Sequence, residues 1–425
     1  MFAGGLVTNS NQSAAWVRLP SRNASVETDA AYFNPAGLMK LENGFHLSLS
    51  NQSIFQTRTI TNDYSGPGGV YGLNVHSFDG EVTALAFPSI YAVYKMDKFA
   101  FSLGFNPVGG GGGAIYEEGL PSFEMSPSDL VPSLATKAGV QGYRLDAYFK
   151  GSSIFFGFQG GVSYKINDFI SVALGLRYVS AKNTYNGYLR DVQLDMGGGS
   201  WVPASNVLTG LAINLTGITQ IPTKLAPVVA GGAGTLTLAQ LVGGGIMTAA
   251  DKTSIEAGLA AIGIPAATIA TMNVNTIRAT VTGATPALND KIAVVGANAT
   301  LVANQSADVT QTASGISPIF SINISPSENL NIAVKYEMMT KLDLLNNTAQ
   351  DLTVGYGTKN GNVTSPQSLI PDLTKPINMF PDGEKTRSDM PALLTVGLDN
   401  RLASALKLSV GSNYYFDKSA ELFRR

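Results

Sequence analysis

The sequence has no cysteine and only two histidines, His46 and His76, in 425 residues. A disulfide framework and a thiolate metal site are therefore excluded, and a histidine-rich metal centre nearly so. Charge is scarce as well. Asp, Glu, Lys and Arg make up 14% of the chain, against roughly 25% in an ordinary soluble protein. With 28 basic and 30 acidic residues there is no cationic excess to neutralise phosphates, so nucleic acid is not expected as a partner. Nor does the sequence offer a long apolar helix. A long uncharged stretch, between Lys224 and Asp251, holds Pro227 and six glycines, and glycine costs ~1 kcal/mol in a helix interior. The first residues, Met1-Phe2-Ala3-Gly4-Gly5, carry neither a basic cluster nor an apolar core, and do not read as an export signal.

What is present is a 44% hydrophobic chain rich in glycine, with 46 of them, whose apolar residues alternate. Ile154, Phe156, Phe158, Gly160, Val162 and Tyr164 interleave with Phe155, Gly157, Gln159, Gly161 and Ser163. After the turn Lys165-Ile166-Asn167-Asp168, Ile170, Val172, Leu174, Leu176 and Tyr178 interleave with Ser171, Ala173, Gly175 and Arg177. Period two sustained over ten residues predicts a strand with one apolar face and one small or polar face. The unit recurs at 316–338, around the turn Pro326-Ser327-Glu328-Asn329, and again at 89–105 and 394–410.

These strands are longer than the five or six residues usual in a soluble sandwich. About ten residues at ~3.3 Å, tilted ~40°, cover the ~25 Å apolar band of an outer membrane. Turns of four or five residues alternate with loops of twenty or more, and Tyr164, Tyr178 and Tyr336 stand near strand ends, where interfacial aromatics belong. The fold class expected is all-β, a transmembrane antiparallel β-barrel. Arg177, Lys335 and Glu337 lie on the second face and must point inward, because a basic residue facing lipid at mid-bilayer costs ~2–4 kcal/mol.

Strands are predicted at about 44–58, 85–95, 98–107, 144–165, 169–190, 313–325, 330–345, 389–400 and 404–417, with long loops at 59–84, 108–143, 191–312 and 346–388. The 191–312 loop has helix-like pieces at 254–262 and 266–278. Residues 1–43 lack alternation and form a separate segment; within it Asn34 reads as an N-cap with Pro35 at the first helical position. The glycines after Pro107 have no βαβ unit around them and read as a bend or bulge, not a phosphate loop. His46, beside Ser48 and Ser50 on the inward face, reads as a hydrogen-bonded lumen residue. No Gly-x-Ser-x-Gly elbow and no acid–base pair of carboxylates is found, so neither an enzyme nor a cofactor is expected.

The opening Ala3-Gly4-Gly5-Leu6-Val7-Thr8-Asn9-Ser10-Asn11-Gln12-Ser13, the Asn34-Pro35-Ala36-Gly37-Leu38 motif and Pro88-Ser89-Ile90-Tyr91-Ala92-Val93-Tyr94-Lys95 resemble the FadL/TodX family of outer-membrane transporters for long-chain fatty acids and hydrocarbons. The resemblance follows the order of strands and loops over the whole chain. It implies a barrel of about fourteen strands in the outer membrane of a Gram-negative bacterium. Residues 1–43 would be a hatch gated around Asn34, Pro35 and Ala36. Residues 44–425 would be the barrel, with the third and fourth long loops capturing ligand. A kink at the end of the third strand, here Asn106, Pro107, Val108 and Gly109, would open the wall sideways. With nine predicted strands and no signal peptide, the chain is expected to be incomplete at both ends, its sheet open between the strands near 45–58 and 404–417.

The function expected is passive uptake of a hydrophobic ligand (fatty acid, hydrocarbon or detergent) by a monomer surrounded by outer-membrane lipid. Leu236, Leu238, Leu241, Ile246 and Met247, on the 191–312 loop, are candidates for the capture groove, the alternative being that they pack the loop itself. The rival function is a surface adhesin or structural barrel whose 191–312 loop binds a partner protein. An open porin is disfavoured, because a segment of 43 residues in the lumen would obstruct it.

Overall fold

The structure, a computed structural model, describes residues 13–358 and 371–421. The strands are β1 (Gly44–Ile60), β2 (Phe78–Met96), β3 (Phe99–Tyr116), β4 (Gly142–Lys165), β5 (Ile170–Asp195), β6 (Trp201–Pro203), β7 (Gln305–Ile324), β8 (Leu330–Glu337), β9 (Asp343–Gln350), β10 (Thr353–Thr358), β11 (Pro371–Asn378), β12 (Lys385–Arg387), β13 (Leu393–Ala403) and β14 (Leu406–Tyr415). Nine of them form one antiparallel path, β1-β2-β3-β4-β5-β7-β8-β13-β14. Among the described residues β1 and β14 are its two ends and do not pair with each other. The expected nine strands and the gap between first and last are therefore present, within a sheet that curls around the N-terminal segment.

The alternation sets the two faces. Outward positions such as Phe45, Leu49, Leu103, Leu174 and Ile316 are exposed large apolar residues, while the inward Ser163, Ser171, Ser317, Ser321 and Asn323 are buried. Tight turns close one end of the sheet. Asn43 Oδ1 accepts from the backbone N–H of Asp97 at 3.0 Å and from Lys95 Nζ at 2.8 Å, fixing a turn in which Asp97 takes φ 45°. Asn167 Oδ1 accepts from the N–H groups of Phe169 and Ile170 at 2.9 and 2.8 Å, an Asx-type turn.

Several strands outrun their predicted bounds. β4 and β5 have 24 and 26 residues, at ~3.3 Å each far more than an apolar band needs. Their loop-side halves carry Arg144, Asp146, Lys150 and Arg190. The predicted strand 330–345 is two strands, because β7 pairs first with β9 and then with β8. The break lies opposite Gly315, where a Cβ would stand 2.4 Å from the Lys341 carbonyl, and Pro318, which has no N–H to donate. The expected loop 346–388 likewise holds β10, β11 and β12, with 359–370 outside the described residues.

The helices are α1 (Ala14–Arg18), α2 (Ala30–Phe33), α3 (Pro121–Ala138), α4 (Ala204–Thr219), α5 (Ile221–Lys224), α6 (Ala226–Ala230), α7 (Leu238–Gly243), α8 (Ala249–Ala261), α9 (Ala266–Thr271) and α10 (Val274–Leu301). Helix α3, which holds Pro127 and Pro132, lies within the expected loop 108–143. Helices α4 to α10 make the β5–β7 insertion a helical body with its own core of Ile218, Ile221, Leu225, Leu259, Ile277 and Val281, among others. No helix among the described residues is long and apolar enough to cross a membrane.

Candidate functional site

Residues 13–40 lie against the inner face of the sheet. The 3-10 helix Pro35–Lys40 follows Asn34 as expected, but the Asn34 side chain makes no cap bond. It is fully buried and turned to the wall: its Nδ2 donates to Asn323 Oδ1 at 2.7 Å and to the Ser25 carbonyl at 3.0 Å, and its Oδ1 accepts from Ser321 Oγ at 3.2 Å. Ser163 Oγ and Ser171 Oγ donate to the carbonyls of Pro35 and Ala36, each at 2.7 Å. Gln159 Nε2 donates to the Ala31 carbonyl at 2.6 Å. The inward serines and asparagines that alternation supplies thus satisfy backbone groups that a non-regular segment would otherwise leave unpaired. At Gly397 a Cβ would sit 2.5 Å from the Ala24 nitrogen, so the segment can approach β13 only over glycine. Residues 1–12 of the expected hatch, with most of the opening motif, lie outside the described residues.

Beside this contact lies a charged cluster. Glu337 accepts from Arg177 Nη1 at 2.6 Å and from Lys335 Nζ, and Gln159 Oε1 accepts from Arg177 Nη2 at 2.6 Å. All three charged residues are buried, as the inward assignment required. One carboxylate between two cations leaves an excess positive charge, and Tyr32 compensates part of it. Its ring lies 4.9 Å from the Arg177 guanidinium and 5.0 Å from Lys335 Nζ, and its carbonyl accepts from Lys335 at 2.9 Å. A cavity of about 110 Å³ opens here, lined by Trp16, Phe33, Val108, Met390 and Leu393 as well as the charged trio.

Val108 belongs to the feature that sets β3 apart. Between Phe105 and Ser153 the register with β4 shifts twice, at 107/109 and at 109/112. Gly110 and Gly112 take φ +92° and +73°, and a Cβ on Gly110 would lie 2.3 Å from the Ser153 carbonyl. This double bulge turns 106–110 inward, where all five residues are buried. The β2–β3 ladder breaks at the same level. Paired residues run from Ile90↔Phe105 to Met96↔Phe99 and resume at Glu81↔Ile115, and among the described residues no ladder pair falls between. Asn106, Pro107, Val108 and Gly109 thus edge an interrupted seam in the wall, facing the N-terminal segment.

The loop candidates are divided. Leu238 and Leu241, candidates either for the groove or for packing the loop itself, are buried in the insertion's own core, where α7 lies against α8. Leu236 and Met247 pack partly against the same core. Ile246 is half exposed, and with Met247, Ile213, Lys224 and Asp251 it lines a cleft of about 760 Å³ between α4 and α8. No periodic signal in 225–250 distinguished the two groups.

His46 Nε2 lies 2.9 Å from the Glu42 carbonyl. His76 sits in the outer loops, 3.6 Å from Glu118 and 3.9 Å from Glu124. Nearby, the Tyr64 hydroxyl donates to Asp129 at 2.6 Å; this bond to a carboxylate, with a smaller contribution from burial, raises the Tyr64 pKa above the ordinary phenol value. Among the described residues no cluster of three or more metal-binding side chains is found.

No protein-family model matches the chain, and no curated protein matches it. Solved structures do. A Pseudomonas aeruginosa FadL homologue is similar at 12% identity, over 97% of this chain and 70% of that one, with a TM-score of 0.47. The Pseudomonas putida toluene transporter TodX is similar at 12% identity, over 90% and 64%, with a TM-score of 0.40. A TodX deltaS2S3 mutant, described as a monoaromatic hydrocarbon channel, is similar at 11% identity, over 91% and 65%, with a TM-score of 0.39. The chain therefore spans about two thirds of the length of the structures it resembles, which are FadL- and TodX-type transport proteins.

Proposed function

We propose that this protein is a passive outer-membrane transporter for hydrophobic small molecules, fatty acids or aromatic hydrocarbons, which leave sideways through its wall. The observation that carries the reading is the interrupted β2–β3 seam at the double bulge of β3, next to the cavity beneath the N-terminal segment. Among the described residues no β2–β3 ladder pair holds the wall there, so parting it breaks none. Such an interruption fits a passage better than a purely structural wall.

Ligand is first held in the α4–α8 cleft at Ile213, Ile246 and Met247, whose 760 Å³ lies within the ~300–1,000 Å³ of ordinary ligand sites. Apolar surface leaving water there gains ~25 cal/mol per Å². The inner cavity, at 110 Å³, is too small for such a ligand, so this arrangement is the closed one. The hatch, residues 1–43 pivoting at Asn34, Pro35 and Ala36, must shift before ligand reaches Val108 and the seam.

The test is to plug the seam. At Gly111 a Cβ would meet nothing within 4 Å, so the side chain of Gly111→Trp starts in open space and brings a bulky ring to the seam. Uptake of labelled fatty acid or toluene by cells lacking their own transporter should fall about tenfold, equivalent to ~1.4 kcal/mol on the rate, with folded protein unchanged. Uptake at the wild-type rate would rule out exit through the seam.

A further inference from the structure

His76, one of the two histidines and unused by the reading above, stands at the loop-side end of the seam. Two rungs close the seam there, Glu81↔Ile115 and Gly80↔Tyr116. His76 comes just before β2 and Glu118 just after β3, so a contact between them ties the same two strands beyond the last rung. His76 Nε2 lies 3.6 Å from a carboxylate oxygen of Glu118, which is exposed, and Nδ1 lies 3.9 Å from one of Glu124 on α3, whose side chain is 7% exposed. Both distances are just beyond hydrogen-bond length, and Nε2 is buried without a hydrogen bond. The ring packs on Phe78, with centroids 4.1 Å apart, and Phe78 is in turn buried with Leu73 and Tyr116. A buried carboxylate calls for a counter-charge. Among the described residues the Glu124 side chain accepts one hydrogen bond, from the Tyr143 hydroxyl at 2.6 Å, and neither Glu124 nor Glu118 pairs with a Lys or Arg. The groups around His76 are thus two carboxylates, one from the β3–α3 turn and one from α3, the Phe78 ring of β2, and through Glu124 the phenol of β4.

We infer that protonation of His76 closes a latch over the loop-side end of the seam, the imidazolium bridging Glu118 and Glu124, and that loss of the proton frees the two rungs to open. The inference rests on the transport reading above and adds a control to it: exit through the wall is slower in mildly acidic medium. A neutral imidazole has one N–H and turns a lone pair toward the second carboxylate, whereas the imidazolium donates from both nitrogens. The charged ring also gains from the face of Phe78. The stabilisation exists while the ring is charged, at the acid side of the range of about pH 5 to 8 in which histidine changes charge, and is lost as pH rises through that range. The Tyr64–Asp129 bond holds the β1–β2 loop on α3 on both sides of the range, so the latch acts on the rungs rather than on the body of the loop.

The intact protein in phospholipid vesicles is compared with His76→Gln, which keeps a hydrogen-bonding side chain that cannot charge, and with Glu118→Gln, a change at an exposed position. Hydrogen exchange of the amides in 78–81 and 114–118 is followed by mass spectrometry at about pH 5.5 and about pH 8. Each variant is read against wild type at the same pH, so intrinsic exchange rates cancel, and so does the titration of His46, which all three proteins share. At the acid pH the wild-type amides should exchange about fivefold more slowly than those of either variant, the effect of one partly exposed charged hydrogen bond; at the alkaline pH the three should agree. Equal exchange at the acid pH overturns the latch. So does a difference that persists at the alkaline pH, which would assign His76 to packing. Uptake of labelled toluene, which does not titrate, by cells carrying the same proteins separates the two readings: exchange that follows pH with uptake that does not would uphold the latch and refute exit through the seam.

Discussion

The wall made by β4, β5 and β7 and the wall made by β2 and β3 start from the same alternating pattern and end differently. Between β5 and β7 the pairing is unbroken from Ile170↔Ile324 to Leu189↔Gln305, and inward side chains of this wall such as Ser163, Ser171 and Ser321 bond to the N-terminal segment. Between β2 and β3 the pairing fails over 82–89 and 106–114, where Pro107 and the glycines after it replace the alternation. The difference shows what holds such a wall. The unbroken ladder carries Gly175, Gly187, Gly315 and Pro318 within it, whereas the positive-φ Gly110 and Gly112 let β3 fold inward.

The largest expected effect breaks the regular wall from inside. Glu337→Gln leaves Arg177 and Lys335 buried without their counter-ion, and losing one partner of a buried pair costs about 3–5 kcal/mol. Thermal unfolding followed by heat-modifiable migration should shift strongly downward, and an unchanged midpoint would mean that Tyr32 and Gln159 suffice to hold the cations. A smaller effect sharpens the comparison at the seam itself. Gly110→Ala forces a side chain into a positive-φ site against the Ser153 carbonyl and should cost about 1–2 kcal/mol, while Gly111→Ala should be nearly silent in the same melts. Equal melts for both variants would show that the bulge relaxes freely.

The smallest effect lies outside the wall. Tyr64→Phe removes the bond to Asp129 that ties the β1–β2 loop to α3, and limited proteolysis of residues 61–77 should quicken about twofold. Because the Tyr64 pKa is raised in the folded protein, this tie is intact below the ordinary phenol pKa and weakens as pH rises through and above it. In the wild type, cleavage should therefore accelerate only in strongly alkaline buffer, and in the variant not at all.

The periodicity of 154–180 and 316–338 was enough to read strand existence, order, outward face and the inward turn of Arg177, Lys335 and Glu337. Each of these follows from the two-residue repeat of an extended chain and from the cost of charge in hydrocarbon, which are local or solvent-level facts. Glycine and proline around 107–112 announced a bend but not its direction. That came from Gly110 pressing against Ser153 and from Val108 filling space beside Phe33.

Other features were settled by contacts between parts distant in the chain. Asn34 occupies the cap position its sequence promised, yet its amide is spent on Ser25 and Asn323, nearly three hundred residues away in the latter case. Leu238 and Leu241 are apolar residues on a loop whichever way the loop folds, and burial among Leu259, Ile277 and Val281 made them core. Helix α3 holds two internal prolines, and the loop-side ends of β4 and β5 stabilise it by packing on Leu130, Val131 and Leu134. Alternation in a strand is enforced by backbone geometry at every step. The fate of a loop side chain depends on which surface arrives to cover it, and that is a property of the assembled fold.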